Sequence, residues 1–175
     1  MARLASIASV PRPPDGQPPA QGPALPDCAF LHLLANSAAA TKAYFACQSA
    51  LAGGLLTPRQ REMLALAVAE INGSKYCLAA HGALARKAGL SAQDIRLARK
   101  AAAADPQEDA MLRFAQAVTL QRGDVSDADF QTLKGARFTD AQVAEIVAHI
   151  ALNILTNYFN VLARTELDFA PLKPD

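Results

Sequence analysis

The chain has 175 residues, 51% of them hydrophobic, and its 17 basic and 16 acidic side chains leave a formal net charge of +1. That is enough apolar sequence for one domain with a sizeable core. The near-balanced charge offers no basic stripe for nucleic acid and no charge excess for a membrane surface. Aromatic and β-branched residues are too sparse for a large sheet, whereas alanine-rich runs at helical spacing recur throughout, so an all-α single domain of about seven or eight helices is expected.

The opening MARLASIASV holds too little uninterrupted apolar sequence for a signal peptide, and no run approaches the roughly 18 apolar residues of a membrane span. The three cysteines, Cys28, Cys47 and Cys77, are irregularly spaced. They do not resemble a disulfide framework and suit a reducing cytoplasm. Residues Pro11 to Pro26 contain seven prolines in sixteen positions. A segment so poor in backbone donors forms neither helix nor sheet ladders, so residues 1–26 are read as an extended N-terminal arm and 27–175 as the helical domain.

Asp27 is the expected N-cap of a short helix reaching Leu34, and Asn36-Ser37 starts another from about Ala38 to Leu51, ended by Gly53-Gly54. His32 reads as a packing or surface histidine, and Cys47 as a small buried hydrophobe. Thr57 followed by Pro58 then opens a helix whose apolar residues Leu64, Ala67, Val68 and Ile71 share one face. Asn72-Gly73 breaks it, and Ser74 suits the N-cap of the next helix, which Gly89 stops.

Further helices are expected from Ser91 to about Ala103, from Asp105-Pro106 to Gly123 carrying Met111, Phe114, Ala115, Val118 and Leu120, and from Ser126 through Leu133. Thr139 opens the last and longest helix. There Val143, Ile146, Val147, Ile150, Ile154, Leu155 and Tyr158 make an apolar face wider than one buried stripe needs, which suits a buried helix or one shared with another subunit. His149, Asn153, Asn157 and Asn160 on the same helix would need partners if buried, and are read as an interhelical hydrogen-bond network.

The chemistry concentrates at the break between the third and fourth helices. With Ser74 as cap, Cys77 falls in the first helical turn, where unpaired amide donors and the positive end of the helix dipole favour a thiolate. His81, four residues on, lies on the same face. Glu62 is a third candidate if the corner folds the preceding helix alongside. Cysteine and histidine at this spacing on an alanine-rich helix also form inert core pairs. Glu70 is expected in solvent or in an ion pair, and Tyr76 either lines the site or packs. One cysteine and one histidine after SxxC fall short of a zinc set, so no metal and no other cofactor is expected.

Glu62, Ser74, Cys77 and His81, with INGSKYCLAAH and the later NILTNYFNVLARTELDF, resemble the alkylhydroperoxidase D and carboxymuconolactone decarboxylase superfamily, in its peroxidase-related branch. The family pattern is a glutamate, eleven residues, a cysteine, two residues, a second cysteine, three residues and a histidine. Here serine stands at the first cysteine position, and the resemblance spans roughly Phe30 to Ala170.

The resemblance implies a helical fold of that type and a thiol-dependent peroxidase. Cys77 would attack a small-molecule hydroperoxide, with His81 and Glu62 relaying protons. It also implies assembly as a homo-oligomer, a dimer, trimer or hexamer. Ser74 cannot form the family's disulfide, so the sulfenic acid on Cys77 would need an external thiol reductant or another cysteine of the chain. Two other functions fit the same residues. One is a decarboxylase-type lyase using His81 and Glu62, although no basic residue of the corner reads as a carboxylate clamp. The other is a non-catalytic oligomeric binding protein of the same fold.

Overall fold

The computed structural model describes residues 2–7 and 27–172. Among these there are eight helices and no strand: α1 (Ala29–Leu34), α2 (Ala38–Ala52), α3 (Pro58–Ile71), α4 (Lys75–Lys87), α5 (Ala92–Arg99), α6 (Pro106–Gln121), α7 (Asp127–Gly135) and α8 (Asp140–Ala163). The proline-rich stretch read as an arm lies outside the described residues. Residues 2–7 run across α1 and the end of α8: the Arg3 amide donates to the Ala163 carbonyl at 2.7 Å, and the Ala5 carbonyl accepts from Asn36 Nδ2 at 2.8 Å.

The fold is built round α3. Met63 to Ala69 are each at most 2% exposed, because α4, α5, α6 and α8 all pack on this helix. Seven consecutive uncharged residues make that possible, and the first charges beyond them, Glu62 and Glu70, mark where the buried stretch ends. Burying Met63, Leu64, Leu66 and Val68 contributes about 1.5–3 kcal/mol per side chain.

Most helix starts are those expected from sequence. Ser37, Thr57, Ser91, Asp105, Ser126 and Thr139 are N-caps whose side chains accept from first-turn amides. At Thr57, Ser91 and Thr139 the third helical residue bonds back to complete a capping box.

Two starts differ. α1 is capped at Cys28, not Asp27, and without a side-chain bond. Asp27 instead meets His32 Nε2 at 2.6 Å, and the free amide of Ala29 is taken at 2.6 Å by Asp168, from the far end of the chain. Ser74 is the N-cap of α4 by position, yet its side chain makes no capping bond. α5 also ends at Arg99, short of the expected Ala103, and Leu120 on α6 is exposed.

The corner between α3 and α4 is a two-bond reversal. Gly73 takes φ +64°, a conformation that suits glycine. Its amide donates to the Glu70 carbonyl at 3.1 Å, and the Ser74 amide to the Ala69 carbonyl at 3.0 Å. No slack remains, and Lys75 begins α4 at once.

The apolar face expected on α8 is divided. Ile146 and Ile150 are buried, but Val147, Leu155 and Tyr158 are exposed, as are Val161 and Leu162. The inner side carries polar residues instead: His149, Asn153, Thr156, Asn157 and Asn160 are all buried. By length and composition α8 could cross a membrane, with a mean hydropathy of 1.4, and 44% of its most apolar window is buried within the chain.

Candidate functional site

α3 and α4 lie side by side after the corner, and this brings Glu62 to His81 across nineteen positions of sequence. Glu62 Oε2 and His81 Nδ1 are 2.9 Å apart, with their side chains 17% and 23% exposed. An ionised carboxylate only accepts, so facing one fixes the proton on Nδ1 and leaves Nε2 as the basic nitrogen.

Cys77 is the third residue of α4, one turn before His81, and is 3% exposed. Its side-chain hydrogen bond comes from α8: Asn160 Nδ2 donates to Cys77 Sγ at 3.3 Å. Asn160 is itself oriented by Thr165, whose hydroxyl donates to Asn160 Oδ1 at 2.7 Å. The thiol therefore packs with Tyr44, Tyr76, Cys28 and Phe30 in a buried cluster, one turn from the carboxylate–imidazole pair and not bonded to it.

Tyr44 joins the two halves. It belongs to the cluster around Cys77 and also lines the cleft that holds Glu62 and His81. Burial, followed by the neighbouring Cys28, Cys77 and Glu62, pushes its phenol above the ordinary range, so its hydroxyl stays protonated.

The cleft has a volume of about 110 Å³, and Glu62 and His81 form one side of it. His149, Asn153 and Thr156 of α8 and Arg61 of α3 also line it. Arg61 Nη1 donates to the carbonyls of Leu51 at 3.2 Å and Ala52 at 2.5 Å, placing a cation at the C-terminal end of α2. No basic residue of the corner reads as a carboxylate clamp in the sequence, yet Arg61 is a wall of the cleft. Opposite α2, the Glu145 carboxylate accepts from the amides of Leu55 at 2.7 Å and Leu56 at 3.2 Å and holds the α2–α3 loop in place.

His149 is 6% exposed and its Nε2 has no hydrogen-bond partner. Burial, reinforced by the Arg61 guanidinium, lowers its pKa to about 4, against the opposing pull of Glu145 and Glu62. It is a neutral imidazole at physiological pH.

The polar residues of α8 follow the expected network only in part. Asn157 Oδ1 accepts from Asn72 at 3.0 Å and Asn160 reaches Cys77, both between helices, while Asn153 bonds within α8 to the His149 carbonyl. Sequence reading did not foresee that His149 and Asn153 line the cleft beside Glu62 and His81. The signal was the spacing of four, four and three from His149 to Asn160, which aligns all four polar residues on one stripe of an apolar helix.

The other candidates sort simply. Ser74 is buried and its Oγ has no partner. Glu70 pairs with Arg99 at 2.6 Å. Tyr76 packs on Phe169 with its hydroxyl 3.4 Å from Asp168. Cys47 is half-buried and Cys28 buried, the latter's thiol pushed up by burial. Among the described residues no group of three His, Cys, Asp or Glu could hold a metal ion.

Residues 38–120 match the carboxymuconolactone decarboxylase family. A search of curated proteins gives no match. Among solved structures, the chain is similar to an uncharacterized peroxidase-related protein with an alkylhydroperoxidase AhpD core from Ralstonia eutropha JMP134, at 31% identity and a TM-score of 0.72, covering 81% of this chain and 77% of that one. It is also similar to ATU0492 from Agrobacterium tumefaciens, a putative antioxidant defence protein AhpD, at 28% identity and a TM-score of 0.71, covering 77% of this chain and 94% of that one. The debrominase Bmp8 shares the fold alone, at 16% identity and a TM-score of 0.69, over 80% of this chain and 76% of its own. With four site positions at the family's spacing, an all-helical fold and a relative of this identity over most of both chains, the protein belongs to the alkylhydroperoxidase D and carboxymuconolactone decarboxylase superfamily, in its peroxidase-related branch.

Proposed function

We propose that the chain is a thiol-dependent, peroxidase-like oxidoreductase that reduces small hydroperoxides through Cys77. The observation that carries this reading is the Glu62–His81 pair, 2.9 Å apart and one helical turn from a buried thiol that receives a hydrogen bond. Glu62 holds His81 with Nε2 basic, and His81 moves the proton between Cys77 and the departing alkoxide. Asn160 favours the thiolate by donating to it. The thiolate attacks the terminal peroxide oxygen, the O–O bond breaks, and the products are an alcohol and a sulfenic acid on Cys77. One external thiol then condenses with the sulfenic acid, releasing water and forming a mixed disulfide. A second external thiol attacks that disulfide, freeing the Cys77 thiol and leaving the reductant as its own disulfide.

The test is to treat the reduced chain with one equivalent of hydroperoxide, trap with dimedone and map the adduct by mass spectrometry. The adduct is expected on Cys77, and peroxide consumption is expected to vanish in Cys77→Ser. An unmodified Cys77, or consumption that survives the substitution, rejects the reading.

A second reading is favoured by one observation, Arg61 on the cleft wall beside Glu62 and His81. A small carboxylated lactone could pair with Arg61 while His81 and Glu62 shuttle protons, as in a decarboxylase-type lyase. Activity that survives Cys77→Ala and is lost in His81→Ala would select it. In either reading the chain self-associates, with a second copy covering Val147, Leu155, Tyr158 and Leu162 on α8. Leu155→Glu should then lower the mass measured by light scattering, and a monomeric unaltered chain would refute the assembly.

A further inference from the structure

Two buried polar atoms, one at the start of α4 and one on α8, have no partner. Ser74 is 1% exposed and Asn157 is 0% exposed, and neither Ser74 Oγ nor Asn157 Nδ2 makes a hydrogen bond. Leaving such an atom unpaired costs about 1–3 kcal/mol, so each calls for a function or an occupant.

Their positions relate them to Cys77. Ser74 is the N-cap of α4 and Cys77 the third residue of that helix. Side chains at these two positions lie against each other at a helix start, the relation that a capping box exploits. Ser74 does not use it for capping, which leaves its hydroxyl free. On the opposing helix, Asn157 and Asn160 lie one turn apart on one face. Asn160 meets Cys77, and Asn157 is turned by Asn72, two residues before Ser74, which donates to Asn157 Oδ1 and leaves Nδ2 as the open end. Two rows, Ser74 with Cys77 and Asn157 with Asn160, thus face each other across the α4–α8 contact.

We propose that Ser74 Oγ and Asn157 Nδ2 form an oxygen-binding site next to Cys77 Sγ. It holds a water in the reduced protein and, during the reaction, the oxygen that stays on sulfur. This deepens the peroxidase reading and rests on it for the second occupant. When the Cys77 thiolate attacks R–O–OH, a bond forms from sulfur to the terminal oxygen and the O–O bond breaks. RO⁻ leaves and takes a proton from His81, sulfur is oxidised by two electrons, and the peroxide is reduced to an alcohol. The negative charge of the breaking O–O bond grows on the departing RO⁻. The two donors instead take the place of the water on the lone pairs of the terminal oxygen and hold it in line with sulfur, which orients the peroxide for attack. Serine at this position then has a task that a second cysteine could not perform, because a thiol is a weak donor.

The test compares two reagents on the full-length reduced chain. Hydrogen peroxide leaves an oxygen on sulfur, whereas iodoacetamide reacts with the same thiolate and leaves none. In Ser74→Ala, dimedone-trapped oxidation by hydrogen peroxide should slow by about fivefold, the effect of one hydrogen bond, while alkylation of Cys77 changes by less than about twofold on the same scale. Equal slowing with both reagents, or with neither, overturns the proposal. If the unaltered Cys77 is not oxidised at all, the peroxidase reading fails separately. The oxygen site is then judged by a high-resolution crystal structure of the reduced chain: a water bonded to both Ser74 Oγ and Asn157 Nδ2 supports it, and none there overturns it.

Discussion

Between pH 8 and pH 5, above the range in which the depressed carboxylate of Asp94 titrates, acidification should destabilise this protein through His149. Its pKa is about 4 in the folded chain, against about 6.5 when unfolded. Between those values the unfolded chain binds the proton and the folded chain does not, so stability rises with pH through the window and levels off above it. At pH 5 the unfolded imidazole is almost fully charged while the folded one is almost neutral, and the loss relative to pH 8 works out at about 2 kcal/mol. Below pH 4 it approaches about 3 kcal/mol. The cause is local: burial disfavours the charged ring, and the nearby Arg61 guanidinium adds to it. Urea unfolding at pH 5, 6, 7 and 8, on the unaltered chain and on His149→Gln, isolates the contribution: the gap between the two proteins should change by about 2 kcal/mol from pH 8 to pH 5. A gap that stays constant, or a His149 ring that titrates near 6.5 by NMR, would refute the reasoning.

Asn160→Ala removes the donor to Cys77 Sγ and leaves the Thr165 hydroxyl without its acceptor. A loss of about 1–3 kcal/mol is expected by urea unfolding, together with slower alkylation of Cys77 by iodoacetamide. Gly54→Ala would put a Cβ 2.5 Å from Glu145 Oε2, driving the carboxylate off the amides of Leu55 and Leu56; thermal melting should show a cost of about 1–2 kcal/mol. Arg164 ends α8 in the left-handed conformation at φ 52°, so Arg164→Gly should stabilise the chain by about 1 kcal/mol, read as a Tm rise of about 2–4 °C.

The helical layout was legible because its punctuation is local. Thr57-Pro58, Asn72-Gly73 and Thr139 each act on their own backbone neighbours, and no distant residue needs to be known to read them. The Glu62–His81 pair was reachable because its spacing matches the family pattern, and the tight turn at Gly73 lays α3 alongside α4 so that the two side chains meet at 2.9 Å. What failed to show was decided from afar. Asp27 lost the cap of α1 because Asp168, 139 positions later than Ala29, reaches its amide first. Ser74 scores as a cap by residue type, but its Oγ is buried without a bond, which no local rule foretells. On α8 the interhelical reading holds for Asn157 and Asn160, but part of the apolar face expected to be covered, Val147, Leu155 and Tyr158, lies outside, because the inner side is taken by polar residues.

The reversal at Gly73 has a cost in evolvability. Because no spare residue separates the last buried turn of α3 from the first turn of α4, the sulfur inherits its coordinates from the packing of Leu64, Leu66 and Val68. A substitution there that the fold tolerates would still tilt the thiol away from Asn160. Such variants should melt as cooperatively as the parent and yet react sluggishly, so the tolerance of this chain to core change is set by its chemistry before it is set by its folding.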